Sequence, residues 1–541
     1  MQLKRSVWVP AAVGLLAVVS GGWLLQQGTQ GNVYMRQRIL QDVIRTVSDR
    51  YVEEIDPADL YDLAVEGLLE RLGDPHSTVL KPEDYSDLRL QTTGDYGGLG
   101  IRIDEKDGWI TVVQTLPNTP ADRAGLRPGD RLVEVDGRSM RGWTSDHAAT
   151  VLRGPKGSVV DLRIARVGVD RPIPVHIVRD DIHVQYVIGL MYEPGIGYIQ
   201  QSQFSAKSAN DILRRVQSLS HEGMRALILD LRDNPGGLLD EGVAVSDLFL
   251  KSGAEVVETR SRIADQNESY YAEQRPIDPG LPVIVLVNRY SASASEIVAG
   301  ALQDHDRALV VGEPTFGKGS VQTLYPLPGG NFLKLTTARW YTPSGRSIHR
   351  EATDRHILAM RGIAPVEITQ VADTANAEVY YTDSGRTVFG GGGITPDLNV
   401  TSDTLTRVER EFRNSLGEQL AAYSDAVFRF AVEYVNDRPR LSADFEVTAA
   451  MLDQLYAWLK ANDIEVDREL FDGTRRVIAR ELGIDLATVA FDEVTSLRRR
   501  LVLDRQLDTA VELLRESRTQ EQLFSLAETR QAELRAAARE E

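Results

Sequence analysis

The chain has no cysteine. That one absence removes disulfides, thiolate metal sites, a cysteine nucleophile and a lipid-modified cysteine anchor together. It leaves the redox compartment open, because a cysteine-free protein tolerates either. Positive charge is also in short supply: 61 lysines and arginines face 79 aspartates and glutamates, for a net charge of −18. Nucleic acid is excluded as a general partner, since phosphate binding needs a basic face. No HExxH pair or comparable ligand spacing occurs, so no catalytic metal is expected, and no cofactor.

What is present is globular material. Hydrophobic residues make up 42% and charged residues 26% of 541 positions, enough for several domains. The pattern is that of an α+β multidomain chain. At the N-terminus Lys4 and Arg5 precede an apolar run from Val7 to Leu25. The run is nearly long enough to cross a hydrocarbon core of about 30 Å. The basic pair favours an orientation that sends the remainder across. No clean small-x-small cleavage site occurs between Gly28 and Asn32, so an uncleaved membrane helix is expected over a removed signal peptide. Residues 31–90 should be helical, with Ile39, Val43, Ile44 and Val47, then Leu60, Ala64, Leu68 and Leu72, at helical spacing. Asp74-Pro75 closes that pattern, and His76 beside it reads as a turn or packing histidine.

The centre of the chain is the stretch PVIVLVNRYSASASEIVAGALQDHDRALVVGEPTFGKGSVQ, Pro282 to Gln322. Pro282–Val287 has the length and β-branching of a buried strand. Three alternating serines follow, then EIVAGALQD with helical periodicity, then a second strand in ALVVG. A strand, a sharp turn of small residues and a helix present a hydroxyl at a helix N-terminus, where free N–H groups favour negative charge. Lys318 arrives on a separate, glycine-flanked segment. Periodicity alone does not choose among Ser291, Ser293 and Ser295. A Ser–His–Asp arrangement through His305 fails on distance. His305 sits at the far end of the helix, on the order of 18 Å away at about 1.5 Å per residue. It is read as a solvated helix-end histidine.

Segments SASASE and GEPTFGKGSVQ closely resemble the active-site region of the C-terminal processing peptidases, the tail-specific proteases with a serine–lysine dyad. The resemblance extends over roughly residues 35 to 400 and implies a mixed α/β, crotonase-like serine protease core. It selects Ser293 as nucleophile and Lys318, 25 positions on, as base. It makes Gln322 the third catalytic residue, and the N–H groups of Gly237 (in MRALILDLRDNPGG) and Ala294 the oxyanion hole. The chemistry suits the types. A hydroxyl attacks only when a base takes its proton, and a lysine is a base only when neutral, which burial promotes. An amide at position 322 holds the amine without adding charge. Gly317 and Gly319 leave room for the lysine, and Phe316 and Val321 can keep it dry. Asp304 is read as structural, and Glu296 as support for the first helical turn.

Residues 91–180 resemble a bacterial PDZ domain, from GDYGGLGIRI through TVVQTLPNTPADRAGLRPGDRLVEVDGRSM. The resemblance makes Gly98, Leu99, Gly100 and Ile101 the loop that takes a peptide C-terminus, beside a helix near Ser145 to Leu152. Arg153 at that helix's end is read as solvated, with a coupling role to the core as the alternative. Residues 181–400 form the protease core. Its GITPD motif is delayed to Gly393 by an insert at 350–390, expected to be a loop or hairpin. Residues 401–541 read as helices with boundaries near Asn436–Pro439, Gly473 and Gly483, for packing, homo-oligomer formation or an adaptor contact.

The function implied is an extracytoplasmic serine endopeptidase, with the chain anchored in the inner membrane of a bacterial envelope and its bulk in the periplasm. Its expected partners are protein or peptide substrates with exposed, largely apolar C-termini. The alternative is a membrane-anchored PDZ scaffold or chaperone with a silent core.

Overall fold

The computed structural model describes residues 31–350, 377–402, 405–438 and 440–540. The apolar run Val7–Leu25 and most of the insert lie outside them. Among the described residues no helix is long and apolar enough to cross a membrane. The chain divides into two compact units: Met1–Leu80 with Thr323–Thr336, and Lys81–Gln322 with Thr337–Glu541.

The first unit contains the helices Gly31–Arg50 and Pro57–Arg71 and the strand Thr78–Leu80. Asp56 caps the second helix by accepting from the Ala58 N–H, with Pro57 in the first turn, where a missing N–H costs nothing. Thr78–Leu80 pairs antiparallel with Phe332–Lys334. Of the expected apolar stripe only Ile44 is buried, and in the second helix the buried residue is Leu69, beside the stripe; Ile39, Val43, Leu68 and Leu72 are exposed. His76 lies in a turn, its N–H donating to Asp74 Oδ1.

The second unit is built on a six-stranded sheet in the order Val187–Glu193, Ile196–Gln201, Ala226–Asp230, Val283–Val287, Leu309–Gly312, Leu398–Asn399. All neighbours are parallel except the first pair. A parallel sheet is buried on both faces, which is why its strands read as unbroken apolar runs. Alternate side chains divide between two cores. Leu227, Leu229, Val283, Val285 and Val310 face one core, which they share with the helices Ser208–His221, Leu239–Asp247 and Ala294–Asp304. Ala226, Ile228, Ile284, Leu286 and Val311 face the other. That second core is completed by Leu497, Leu507, Val511, Leu514 and Leu523 of the C-terminal helices Glu493–Arg500, Arg505–Glu516 and Gln520–Glu540. The last three helices are therefore the second layer over this sheet.

Residues 407–491 form a separate helical cluster around Phe412, Tyr423, Leu455, Phe471 and Leu482. Gly473 ends a helix, but Gly483 does not: the helix Arg475–Ala490 runs through it. Burial of Leu482, Leu486 and Ala487 on either side outweighs the ~1 kcal/mol that glycine costs a helix. The cluster packs against the PDZ-like domain. Lys106 Nζ, at the end of the strand Ile101–Lys106, lies 2.6 Å from Asp425 Oδ1. Gly129 abuts Val432 so closely that a Cβ would come within 2.5 Å of it.

The insert ends in a hairpin, Val379–Tyr381 with Thr387–Phe389. Its turn is bound to the far end of the serine helix. Asp383 Oδ2 lies 2.8 Å from His305 Nδ1, and Arg386 Nε donates to Asp306 Oδ1 at 2.7 Å. His305 Nε2 lies 2.7 Å from the Glu255 carbonyl. The histidine is thus pinned by packed partners rather than solvated.

Candidate active site

Ser293 sits where the strand Val283–Val287 turns into the helix Ala294–Asp304. Its backbone has φ 55° and ψ −115°, a conformation L-residues avoid. The turn survives because it is fastened on every side. Ser291 Oγ donates to the Leu231 carbonyl at 2.8 Å, the Ala292 N–H to the Asn234 carbonyl at 3.0 Å, and Ser295 Oγ to the same carbonyl at 3.0 Å. All these acceptors belong to the glycine turn after Ala226–Asp230. The side chain of Ser293 stays partly accessible while Ser291 and Ser295 are fully buried and hydrogen-bonded. That separates the three serines, which spacing did not.

The glycine turn presses against the serine turn. A Cβ on Gly236 would lie 2.7 Å from Ser293 Cβ and 3.0 Å from the Ala294 nitrogen. Gly237 has φ 146°, and a Cβ there would meet the Phe204 carbonyl oxygen at 2.0 Å. Only glycine fits. Asn234 shapes the turn, its Oδ1 accepting from the Gly236 N–H at 2.9 Å while its Nδ2 donates to the Gln201 carbonyl at 2.7 Å. Gly237 is exposed, and Ala294 is the first residue of its helix, where N–H groups have no carbonyl four residues back.

The lysine segment is joined to the serine turn by Glu296, which is fully buried. One oxygen, Oε2, accepts both the Ser293 N–H at 2.8 Å and the Lys318 N–H at 2.9 Å. The other, Oε1, accepts Thr315 Oγ1 at 2.6 Å and the Gly317 N–H at 2.7 Å. Burial pushes this carboxyl above its ordinary range, and the four donors pull the other way. The sequence marked Glu296 only as support for a helical turn. A glutamate three residues into a helix is an ordinary capping partner, and nothing in its spacing foretells a link to residue 318.

Lys318 is partly buried, and the Trp340 indole donates to its carbonyl at 3.1 Å. Its flanking glycines serve the backbone as well as the side chain. A Cβ on Gly319 would lie 2.9 Å from the His349 nitrogen, and one on Gly317, at φ 90°, would lie 2.8 Å from Arg350 Cβ. Gln322 is partly buried, and its Nε2 donates to Ser320 Oγ at 2.9 Å. Asp304 is buried at the other end of the helix, with Arg346 Nη2 at 2.6 Å and the Ser344 N–H at 3.0 Å. Among the described residues no cluster of three or more His, Cys, Asp or Glu is placed to hold a metal ion.

In the PDZ-like domain, Leu99 is buried in the domain core and its carbonyl accepts the Ala121 N–H at 2.9 Å. Gly100 has φ 78° and lies against Thr119, which would sit 2.3 Å from a Cβ. The strand starting at Ile101 runs beside the helix Ser145–Leu152. Arg153 stays partly exposed, pairing at the surface with Asp87 Oδ1 at 2.8 Å and lying over the Tyr96 ring at 5.7 Å.

Comparison with known proteins follows the same division. Residues 195–359 match the model for peptidase family S41, and residues 111–166 match a PDZ domain model. The carboxy-terminal-processing protease of Bartonella bacilliformis is 42% identical over 351 residues, covering 64% of this chain and 80% of the relative. The carboxy-terminal processing protease CtpA of Bacillus subtilis is 30% identical over 433 residues, covering 80% of this chain and 89% of the relative. This chain belongs to peptidase family S41. It is a serine-type, C-terminal processing peptidase of mixed α/β build with a PDZ domain. A third relative, the carboxyl-terminal-processing protease of a Synechocystis strain, is 37% identical over 343 residues, covering 61% of this chain and 77% of the relative.

Proposed function

We propose that the family's chemistry runs in this chain through Ser293 and Lys318. The observation that carries the reading is the shared Glu296 oxygen, which ties the backbones of both residues to one atom. Neutral Lys318 takes the proton from Ser293 Oγ as that oxygen attacks the scissile carbonyl. The N–H groups of Gly237 and Ala294 hold the resulting oxyanion. Lys318 then returns the proton to the departing amine, leaving an acyl-enzyme. Water, deprotonated by the same lysine, releases the acid and restores Ser293. Gln322 steadies the amine by hydrogen bonding without raising its pKa.

Substrate arrives by its tail. The loop Gly98-Leu99-Gly100-Ile101 takes the terminal carboxylate, and the preceding residues add as a strand beside Ile101–Lys106, facing the helix Ser145–Leu152. Capture of the tail raises the local concentration of the segment to be cut. Ser293→Ala and Lys318→Ala should each lower cleavage of an unfolded, apolar-tailed substrate by at least ~10³-fold. Tail affinity, measured by fluorescence anisotropy, should not move. Full cleavage by either purified variant sinks the dyad, and loss of tail affinity in the substitution Gly100→Trp alone is expected of the loop reading.

The bulk of the chain lies outside the cytoplasm, held by the apolar run Val7–Leu25 acting as an inner-membrane anchor. Membranes washed in alkaline carbonate should retain the full chain and release one lacking residues 1–30. Release of the full chain would remove the anchor reading.

A further inference from the structure

The C-terminal extension reaches the glycine turn directly. Arg232, two residues after the strand Ala226–Asp230, lies between two carboxylates. On the core side Asp230 Oδ2 accepts its Nη2 at 2.6 Å and also the Tyr198 hydroxyl at 2.6 Å. On the extension side Asp504 receives it bidentately, at 2.9 Å from Nη1 to Oδ1 and 2.7 Å from Nη2 to Oδ2. Gln506, wholly buried, accepts Nη1 at 3.0 Å and donates to the Val400 carbonyl at 2.7 Å. A guanidinium fork fixed on two sides has little freedom left.

The backbone carries strain on both sides of this bridge. Asp233, the residue after Arg232, has φ 57°, and Leu503, the residue before Asp504, has φ 62°. A leucine in the left-handed region is a costly placement, sustained only where its surroundings enforce it. Asp504 also caps its own helix, accepting the Leu507 N–H at 3.1 Å. The strained residue therefore aims one carboxylate at two tasks, and the guanidinium is one of them. Burial alone would pull the arginine's pKa down; the carboxylates of Asp230 and Asp504 outweigh it and keep the group firmly charged.

We propose that Asp504 and Gln506 are positioning residues for catalysis: they hold Arg232, and Arg232 holds the turn Asp233–Gly237 that presents the oxyanion donor to Ser293. The inference rests on the reading of Gly237 and Ser293 given above. The route is short. Leu231 and Asn234, on either side of Arg232, are the residues whose carbonyls anchor Ser291, Ala292 and Ser295. A turn that loses its brace leaves its N–H misaligned with the developing oxyanion while the peptide still binds.

Gln520 provides the comparison that isolates this role. It also ties the extension to the sheet, its Oε1 accepting the Val283 N–H at 2.8 Å, but at the opposite end of the strands from Ser293. The test uses full-length Asp504→Asn, Asp504→Glu, Gln520→Ala and Ser293→Ala. Each is measured for kcat and KM on a tailed peptide, for its rate of labelling by a fluorophosphonate, and for Tm. Asp504→Asn should lower kcat and the labelling rate together by about 10–100-fold with KM unchanged, a fraction of the loss expected for deleting an oxyanion donor. Asp504→Glu, which keeps the charge, should recover part of that loss. Gln520→Ala should lose Tm to a similar degree and leave kcat within about twofold. The proposal is overturned if Asp504→Asn keeps its kcat, or if Gln520→Ala loses as much. An active Ser293→Ala would instead overturn the site itself.

Discussion

Ser293 is the residue at which stability and chemistry part company. Its φ of 55° and ψ of −115° cost of order 1–3 kcal/mol for an L-residue and almost nothing for glycine. Ser293→Gly should therefore stabilise the protein, by about 1 kcal/mol after the extra freedom of the unfolded chain is counted. Ser293→Ala keeps the strain and should show no such gain. Both should be inactive, so thermal unfolding of the pair separates strain from loss of the hydroxyl. Equal midpoints for the two variants would mean that the turn stores no strain. The same residue shows what sequence reading reaches. The small-residue turn and the lysine downstream were legible from composition and resemblance. The choice among three serines rested on resemblance only; Ser291 and Ser295 are buried and hydrogen-bonded, whereas Ser293 is partly accessible. The double duty of Glu296 was not legible, because a contact between residues 296 and 318 leaves no local pattern.

Among the elements, the helices Leu420–Asp437 and Arg475–Ala490 and the PDZ strand Ile101–Lys106 share a charged seam. Burial alone would lower the Lys106 ammonium pKa, but Asp425, with Asp104 behind it, outweighs that and raises it. Asp485, partly buried on the second helix, is pushed by burial from 3.8 to about 7, opposed by Lys106 and reinforced by Glu481. A carboxyl with a raised folded pKa favours the folded state while protonated. That contribution is fully present below about pH 4, the ordinary carboxylate range, and is lost as pH rises to about 7. Asp485→Asn should accordingly gain little Tm at pH 4 and most at pH 8. A gain that does not grow with pH would show that Asp485 ionises normally. The periodicity of these helices announced their existence but not their partners. An amphipathic stripe says that something covers it, not what, and Gly483 misled because burial outvoted a local propensity.

For the whole molecule, the extension cannot be removed as an accessory. Without residues 493–541 the sheet would show Ala226, Ile228, Ile284, Leu286 and Val311 to water. Uncovering Ile228, Ile284, Leu286 and Val311, fully buried, at roughly 1.5–3 kcal/mol each is comparable with the ~5–15 kcal/mol by which domains are stable. A chain ending at residue 492 should be insoluble or lack cooperative unfolding by circular dichroism. A soluble, cooperatively folding truncation would place the extension outside the core. The sheet was legible because strands buried on both faces are apolar throughout. The identity of its second layer was not, since the layer is supplied by helices that begin only at Glu493, after the whole separate cluster 407–491.

Arg232 and Asp504 are 272 residues apart in the chain. A ribosome finishes Ser293, Lys318 and the glycine turn long before it makes the Asp504 carboxylate that is proposed to brace that turn. On the proposed reading, a half-made polypeptide would carry Ser293 and Lys318 yet lack the contact that steadies the turn beside them.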